Sequence, residues 1–364
     1  MAIPYFGRDW KVTVKLADGR TVTIGSDAEN ALRVTFTIDT FMMLSYWFCS
    51  ITIYNPSKSF VQAPVPTSIL QGRQQLLSGS LVQVGAGYKD DAVGSGPPDS
   101  SKLLYTGHLY QSLWERENVT DFKLTLRCVT GFLEDAYNQV NITIAPGSSD
   151  YQTLLAICGP KPNGANIPIK EIDSASAKEL SQTANPGAQT FFESPYDLIR
   201  TIIDQHKLFA WVTLGGLTVR AFDPVDLNNK TPRITYGPPG FNFKPTGQNG
   251  RSAAILKPTV IGVPTQTQDG VMFRVLMDSQ VQIGDLIQLA PGTFINQFRF
   301  QFSKELAPLP NNQGLYVVQG IRHVGDSRGR GDDWYTEITG LTRGFFNYWL
   351  EGNESTSDSQ PARP

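Results

Sequence analysis

Charge is what this sequence is short of. Only 18% of its 364 residues are Asp, Glu, Lys or Arg, against roughly 25% in ordinary soluble domains. The 31 basic and 33 acidic side chains nearly cancel, leaving a net charge of -2. Without an excess of either sign there is no long-range field to hold nucleic acid or an anionic membrane, which argues against a dedicated DNA-binding protein. Cysteine is equally scarce: Cys49, Cys128 and Cys158 are odd in number and far apart. That excludes a disulfide framework and fits free, partly buried thiols in a reducing cytoplasm. The longest apolar run, Phe41 to Cys49, is under half the length of about 20 residues that a membrane helix needs. The opening residues Met1 to Arg8 lack the basic and apolar regions of a signal peptide, so no export is expected.

Turn-forming residues, by contrast, abound. The 33 Gly and 24 Pro make up about one residue in six, as expected of many short strands joined by turns. Val12, Val14 and Leu16 alternate with polar neighbours, turn at Asp18-Gly19 and resume at Thr21 to Ile24, which predicts a hairpin. The same period of two recurs at Leu32 to Ile38 and Cys49 to Ile53, and strands are predicted at Gly79 to Val84, Lys102 to Trp114 and Phe122 to Thr130. Residues 1–145 therefore read as a first β-barrel domain.

From residue 146 the pattern changes. Asp150 is a candidate cap for a short helix and Ser174 for a second. Ser194, Pro195 and Asp197 precede Leu198, Ile199, Ile202 and Ile203, the strongest helix signal in the chain. A hairpin across Gly215-Gly216 completes an α+β insert over residues 146–225. Strand candidates return at 260–263, 270–277, 285–289, 316–324 and 334–341, so 226–350 reads as a second β-barrel domain, with a disordered tail at 351–364. The fold class is mainly β with a middle α+β domain.

The two β regions share a pattern. Gly79-Ser80-Leu81-Val82-Gln83-Val84-Gly85-Ala86-Gly87 matches Gly284-Asp285-Leu286-Ile287-Gln288-Leu289-Ala290-Pro291-Gly292 at an offset of 205. Gly107 and Gly131-Phe132 recur as Gly320 and Gly344-Phe345 at an offset of 213. The expectation is a duplicated small barrel in which Gly79, Gly87 and Gly107 mark the same strand boundaries as Gly284, Gly292 and Gly320; two unrelated β domains are the alternative.

Chemistry is hinted at and then fails. Gly325-Asp326-Ser327-Arg328-Gly329 fits a nucleophile elbow, but that motif needs a helix after the serine, and Gly331-Asp332-Asp333 followed by Trp334 to Ile338 predicts a hairpin loop. His108, His206 and His323 have no metal-ligand spacing. Asp90-Asp91 and Asp332-Asp333 are sequence neighbours, which on strands face opposite sides, whereas acid–base pairs must face one site. Neither Gly237-Pro238-Pro239-Gly240 nor Gly85-Ala86-Gly87 precedes a phosphate-cradling helix. Arg322, Arg328 and Arg330, interleaved with Asp326, Asp332 and Asp333, read as a solvated mixed-charge loop or a partner contact. No catalytic, metal or cofactor residue is expected.

The order of elements resembles the baseplate hub proteins of contractile-tailed bacteriophages, and is also similar to the N-terminal part of type VI secretion spike proteins. The resemblance rests on Ile51-Thr52-Ile53-Tyr54-Asn55-Pro56-Ser57, the strand ending in Ala86-Gly87-Tyr88, and Leu104-Tyr105-Thr106-Gly107. It continues in Ile261-Gly262-Val263-Pro264, Gly284 to Leu289, and Tyr316 to Asp326 with Trp334-Tyr335-Thr336. Pro56 departs from the family pattern, where Leu follows the Asn. The resemblance implies a structural homotrimer in the virion, assembled in the host cytoplasm. It would adapt a six-fold tail tube, or a tube-initiator protein, to a three-fold central spike. The insert would meet wedge proteins, and the channel would pass the tape measure protein and DNA without sequence-specific binding or membrane insertion. A tube-terminal adaptor, a wedge component and a tail-associated cell-wall hydrolase are the competing readings.

Overall fold

The structure is a computed structural model. It describes residues 7–15, 21–26, 31–44, 47–56, 80–88, 102–130, 139–182, 184–213, 215–222, 232–239, 255–257, 259–267, 270–290, 293, 295–296, 314–329 and 333–342. Outside these lie the Asp18-Gly19 turn, Gly79, Asp90-Asp91, Gly131-Phe132, Gly240, Gly292, Arg330, Gly331, Asp332, Gly344-Phe345 and the 351–364 tail.

The first β region supplies β1 (Arg8–Lys15), β2 (Thr21–Gly25), β3 (Val34–Phe41), β4 (Trp47–Tyr54), β5 (Leu81–Tyr88), β6 (Leu103–Arg116) and β7 (Phe122–Thr130). Alternation decides their faces, as read from the sequence: Val34, Phe36 and Ile38 with Cys49, Ile51 and Ile53 are buried, and their neighbours face out. Cys49 and Cys128 lie directly opposite each other across β4 and β7. Both are free thiols, and burial pushes their pKa values up, so they stay protonated in the core.

The middle region runs β8 (Val140–Ile144), α1 (Asp150–Cys158), β9 (Ile169–Ile172), α2 (Ser174–Gln182), β10 (Gln189–Glu193), α3 (Pro195–Gln205), β11 (Phe209–Thr213) and β12 (Gly216–Arg220). Leu198, Ile199, Ile202 and Ile203 of α3 pack into its core as the helical spacing predicts. Two caps differ by one residue from the sequence expectation. Ser149, not Asp150, caps α1 through a reciprocal pair with Gln152. For α2 the carboxylate of Asp173, not Ser174, takes the Ser176 amide at 2.7 Å. Strand β8 falls in the range assigned to the first β domain, yet it pairs with β10 and buries Val140, Ile142 and Ile144 in the middle core.

The last region holds β13 (Ile234–Tyr236), β14 (Ile255–Lys257), β15 (Val260–Gln266), β16 (Gly270–Leu276), β17 (Leu286–Leu289), β18 (Leu315–Asp326) and β19 (Trp334–Leu341). Strand order in the first set is β3-β4-β7-β6-β5-β1-β2, and in this set β15-β16-β19-β18-β17-β13-β14. Adding twelve to each number of the first order gives the second. One strand breaks the match in direction: β13 is parallel to β14 and β17, whereas β1 is antiparallel to β2 and β5.

The glycine alignment is corrected. Offsets of 205 and 213 would place Leu286 opposite Ile321, as Leu81 is opposite His108, but Leu286 faces Val317, four residues earlier. An even slip keeps every side chain on its face, so the apolar pattern could not reveal it. Gly87 and Gly107 lie inside β5 and β6, and Gly320 lies inside β18, rather than at strand boundaries. Gly284 does precede β17, with φ +81, and an added Cβ there would meet the Trp211 ring at 2.9 Å.

The two sets merge into one 14-stranded sheet, because β3 pairs with β18. Among the described glycines of the second set the tightest is Gly270, where a Cβ would meet the Gly340 carbonyl oxygen at 1.8 Å. Gly270→Ala is therefore expected to lower stability by about 1–3 kcal/mol, while Gly187→Ala, with open space around it, leaves it unchanged. Chemical denaturation of both variants checks the pair.

Candidate assembly surface

The joint between the two sets runs from Gly320 opposite Phe41 to Asp326 opposite Thr35, and its end is latched by polar groups. Arg33 clasps Asp326 with two hydrogen bonds, at 2.7 and 3.2 Å. The Val34 amide donates to the Ser327 hydroxyl at 2.9 Å, and the Ser327 amide returns a bond to the Val34 carbonyl. Arg328 reaches the Ala31 carbonyl at 2.7 Å, while Arg8 donates to the carbonyls of Asp326 and Gly329 and lies over Trp334. Trp334 in turn meets Phe36 edge-on at 5.6 Å.

These contacts give the sequence candidates their places. Ser327 is bonded to backbone, not to a base. The Arg328 part of the basic cluster is an intrachain clasp. The motif residue Asn55, at φ +51, accepts from the Phe122 amide and donates to Asp121, pinning the β6–β7 turn. His206 sits 2.8 Å from Asp150 in the middle region, His108 lies on β6 opposite Leu81 and Val129, and His323 is buried with Nδ1 2.9 Å from the Thr336 hydroxyl. Among the described residues no group of three or more His, Cys, Asp or Glu could hold a metal ion.

The outward face of the sheet carries a row that crosses the joint: Phe48, Asp39, Arg322, Glu337, Arg274 and Ile261, each opposite the next on a neighbouring strand. Charge alternates along it, with Arg322 3.5 Å from Asp39 and Arg274 2.8 Å from Glu337. Burial raises the Asp39 pKa, against the pull of Arg322. Nearby, Ser50, Thr52, Thr37 and Thr125 keep the face polar, and exposed Arg127, opposite Ser50, donates to the Gln111 side chain at 3.2 Å. The result is a surface whose cations are matched one for one by carboxylates along this row.

On the inner side, a cleft of about 180 Å3 opens where the middle region meets both sets, between Trp47, Trp211, Arg220, Thr218 and His323. Arg220 pairs with Glu171 at 2.9 Å and reaches the Gly284 carbonyl, so it ties the middle region to the second set. A second polar cluster, invisible to pattern reading, is buried beside it: Asp278 accepts from Tyr236 and Lys257 at 2.7 and 2.6 Å.

No family model and no curated protein matches the sequence. Solved structures do. A tail protein from Neisseria meningitidis MC58 has a TM-score of 0.51 and 12% identity, covering 94% of this chain and 98% of its own. The 43 kDa tail protein of prophage MuSo2 from Shewanella oneidensis also scores 0.51, at 9% identity, covering 92% and 99%. A component of the type VI secretion system from E. coli is a looser likeness, at 0.48 and 8% identity, covering 90% and 76%. At such identities the likeness defines the fold: this chain has the mainly β fold of those two tail proteins along nearly its whole length.

Besides Asp39, two groups at the joint titrate away from their ordinary values. Partial burial works against ionisation of Asp326, but Arg33, the Arg328 amide and Arg8 outweigh it and hold the carboxyl below the usual range. Its stabilisation is complete above about pH 4 and is lost as pH falls through the lowered value. Burial pushes His323 down to about 4, so the unfolded chain takes up a proton that the folded chain refuses, and stability declines as pH falls from about 6.5 to 4. In urea unfolding across pH 7 to 3, His323→Gln is expected to flatten the upper window. Asp326→Asn should cost about 1–2 kcal/mol at pH 7 and flatten the lower window. Profiles superimposable on the wild type would contradict both assignments.

Proposed function

We propose that this chain is a structural protein of a phage tail, the central baseplate hub, acting through assembly rather than catalysis. Three copies would form a ring between the tail tube, or its initiator, and the central spike. The observation that carries the reading is the repeated strand order of the two β sets. Three chains with two such sets each present six similar units, so a closed three-fold ring can offer a pseudo-six-fold face to a tube. The middle region has no counterpart in the repeat and leaves the other face three-fold; it is the part free to meet wedge proteins.

The balanced row from Asp39 to Arg274 fits the lining of a channel for the tape measure protein and DNA. Free cations would bind phosphate and release counterions, retarding a moving duplex, whereas here Arg322 and Arg274 are each held by a carboxylate. The low charge fraction fits a surface largely covered in an assembly, since interface cores deplete Lys, Glu and Asp.

Light scattering on the purified chain, alone and with a spike protein, combined with electron microscopy of the particle, tests the proposal. The expected particle has three chains and six lobes around a hole. Six chains per ring would favour a tube-terminal adaptor, and a chain that stays monomeric even with the spike would overturn the hub. Peptidoglycan clearing that is lost on Ser327→Ala or on replacing the Asp332-Asp333 pair would replace the structural role with a hydrolase.

A further inference from the structure

The matching strand orders make β15 the counterpart of β3, and β6 the counterpart of β18. In β18 one edge is shared: Leu315 to Val317 pair with β17, and Gly320 to Asp326 pair with β3. Strand β6 is used the same way over its first part, where Leu103 to His108 pair with β5. From Gln111 to Arg116, however, that edge meets no strand among the described residues. The strand that would fill it is the counterpart of β3, but β15 lies at the opposite end of the same sheet. Within one chain no pairing joins the two among the described residues.

We infer that the β15 end of one copy docks on the β6–β7 hairpin of a second copy, taking between chains the position that β3 takes beside β18 within one, with side-chain packing in place of most of the backbone ladder. This rests on the ring proposed above and names its contact surface. Both ends carry the apolar surface such a contact needs. At one end Ile261 is 42% exposed, Val263 50% and Met272 38%; at the other, Val119 at the hairpin tip is 82% exposed.

The hairpin tip is built to hold its shape. The Asn118 side chain accepts from the Thr120 and Asp121 amides, both at 2.8 Å, and donates to Asp121 at 2.6 Å. Asn55 grips Asp121 from β4's end at 2.9 Å, and Trp114 stacks on Phe122 at 5.6 Å. Val119 is thus presented on a turn with little ordering left to do, which lowers the cost of docking. The intrachain counterpart of this tip, Asp326 to Gly329, clasps Ala31 ahead of β3 and Val34 at its first position.

The contact between chains must be made by side chains more than by a backbone ladder. The Val260 amide is already bonded to the Gly237 carbonyl, the Pro264 carbonyl accepts from Asn296, and Pro264 has no amide to offer. Gly262, at φ +70 with open space where a Cβ would stand, bends the strand between Ile261 and Val263. Such interruptions stop an edge from templating indefinite strand addition. A head-to-tail contact gives a closed ring in place of a fibre when the rotation between successive copies closes, at 120° for three chains.

The test compares the wild type with Ile261→Asp/Val263→Asp, with Val119→Asp, and with the double cysteine variant Val119→Cys/Ile261→Cys, by light scattering and circular dichroism. Since the substituted side chains are exposed, the folded state read by circular dichroism should be retained, while loss of the trimer lowers the thermal midpoint at a given chain concentration. Both aspartate variants are expected to lose the trimer, by at least tenfold in dissociation constant. The cysteine variant should crosslink on oxidation to a covalent trimer and no further. A trimer that survives both aspartate variants, or a cysteine variant whose oxidised products do not stop at three chains, overturns this surface while leaving the ring intact. A wild type that never trimerises, alone or with the spike, overturns the ring itself.

Discussion

Strand β18 serves both β sets with one edge, pairing with β17 along its first residues and with β3 along its last, while β19 holds the other edge from Val317 to Gly325. Its twelve residues span about 40 Å, enough to hold both partners in series. The change of partner falls at a bulge between Val318 and Gly320, where Gly320 lets the Phe41 ring cross within 3.3 Å of where a Cβ would stand. Everything else about the molecule's architecture follows from that shared edge. It merges the two sets into one sheet, aligns their outward faces, and sets Asp39 beside Arg322.

The latch at the end of β18 explains why a surface-looking cluster of charges is structural. Arg33 and Asp326 are 293 residues apart in sequence, so the chain must close a long loop before they meet, and that ordering is costly. Bidentate geometry and the surrounding carbonyl bonds from Arg8 and Arg328 offset that cost locally. The middle region is tied in less directly, by Arg220 to the Gly284 carbonyl and by Arg200 to the Leu44 carbonyl at 3.0 Å.

Pattern reading worked where the cause is local. The period of two in Val34 to Ile38 and Cys49 to Ile53, the stripe on α3 and the turn at Gly215-Gly216 are each produced by neighbouring residues, and each appears in the fold. It slipped by one residue at the caps of α1 and α2, where Ser149 and Asp173 compete with the next polar side chain for the same amides. It missed β13 and β14, three residues each, because such short strands carry no readable period. The buried Lys257, Asp278 and Tyr236 cluster was illegible for a different reason: its members come from three separate segments.

The repeat marks the boundary between the two kinds of information. Composition and alternation by themselves determined a weakly charged, mainly β chain with an α+β insert and a recurring Gly-to-Leu strand motif, because a strand's buried face is encoded in its own residues. They could not determine register, since a slip of four residues preserves every face, nor which edge strand meets which. Only the tertiary structure decided that Leu286 faces Val317, that β3, paired with β4 on one edge, meets β18 on the other, and that Asp39, Arg322, Glu337 and Arg274 form one neutral row. Those are contacts between distant segments, chosen by packing and by long-range pairing that no local pattern contains.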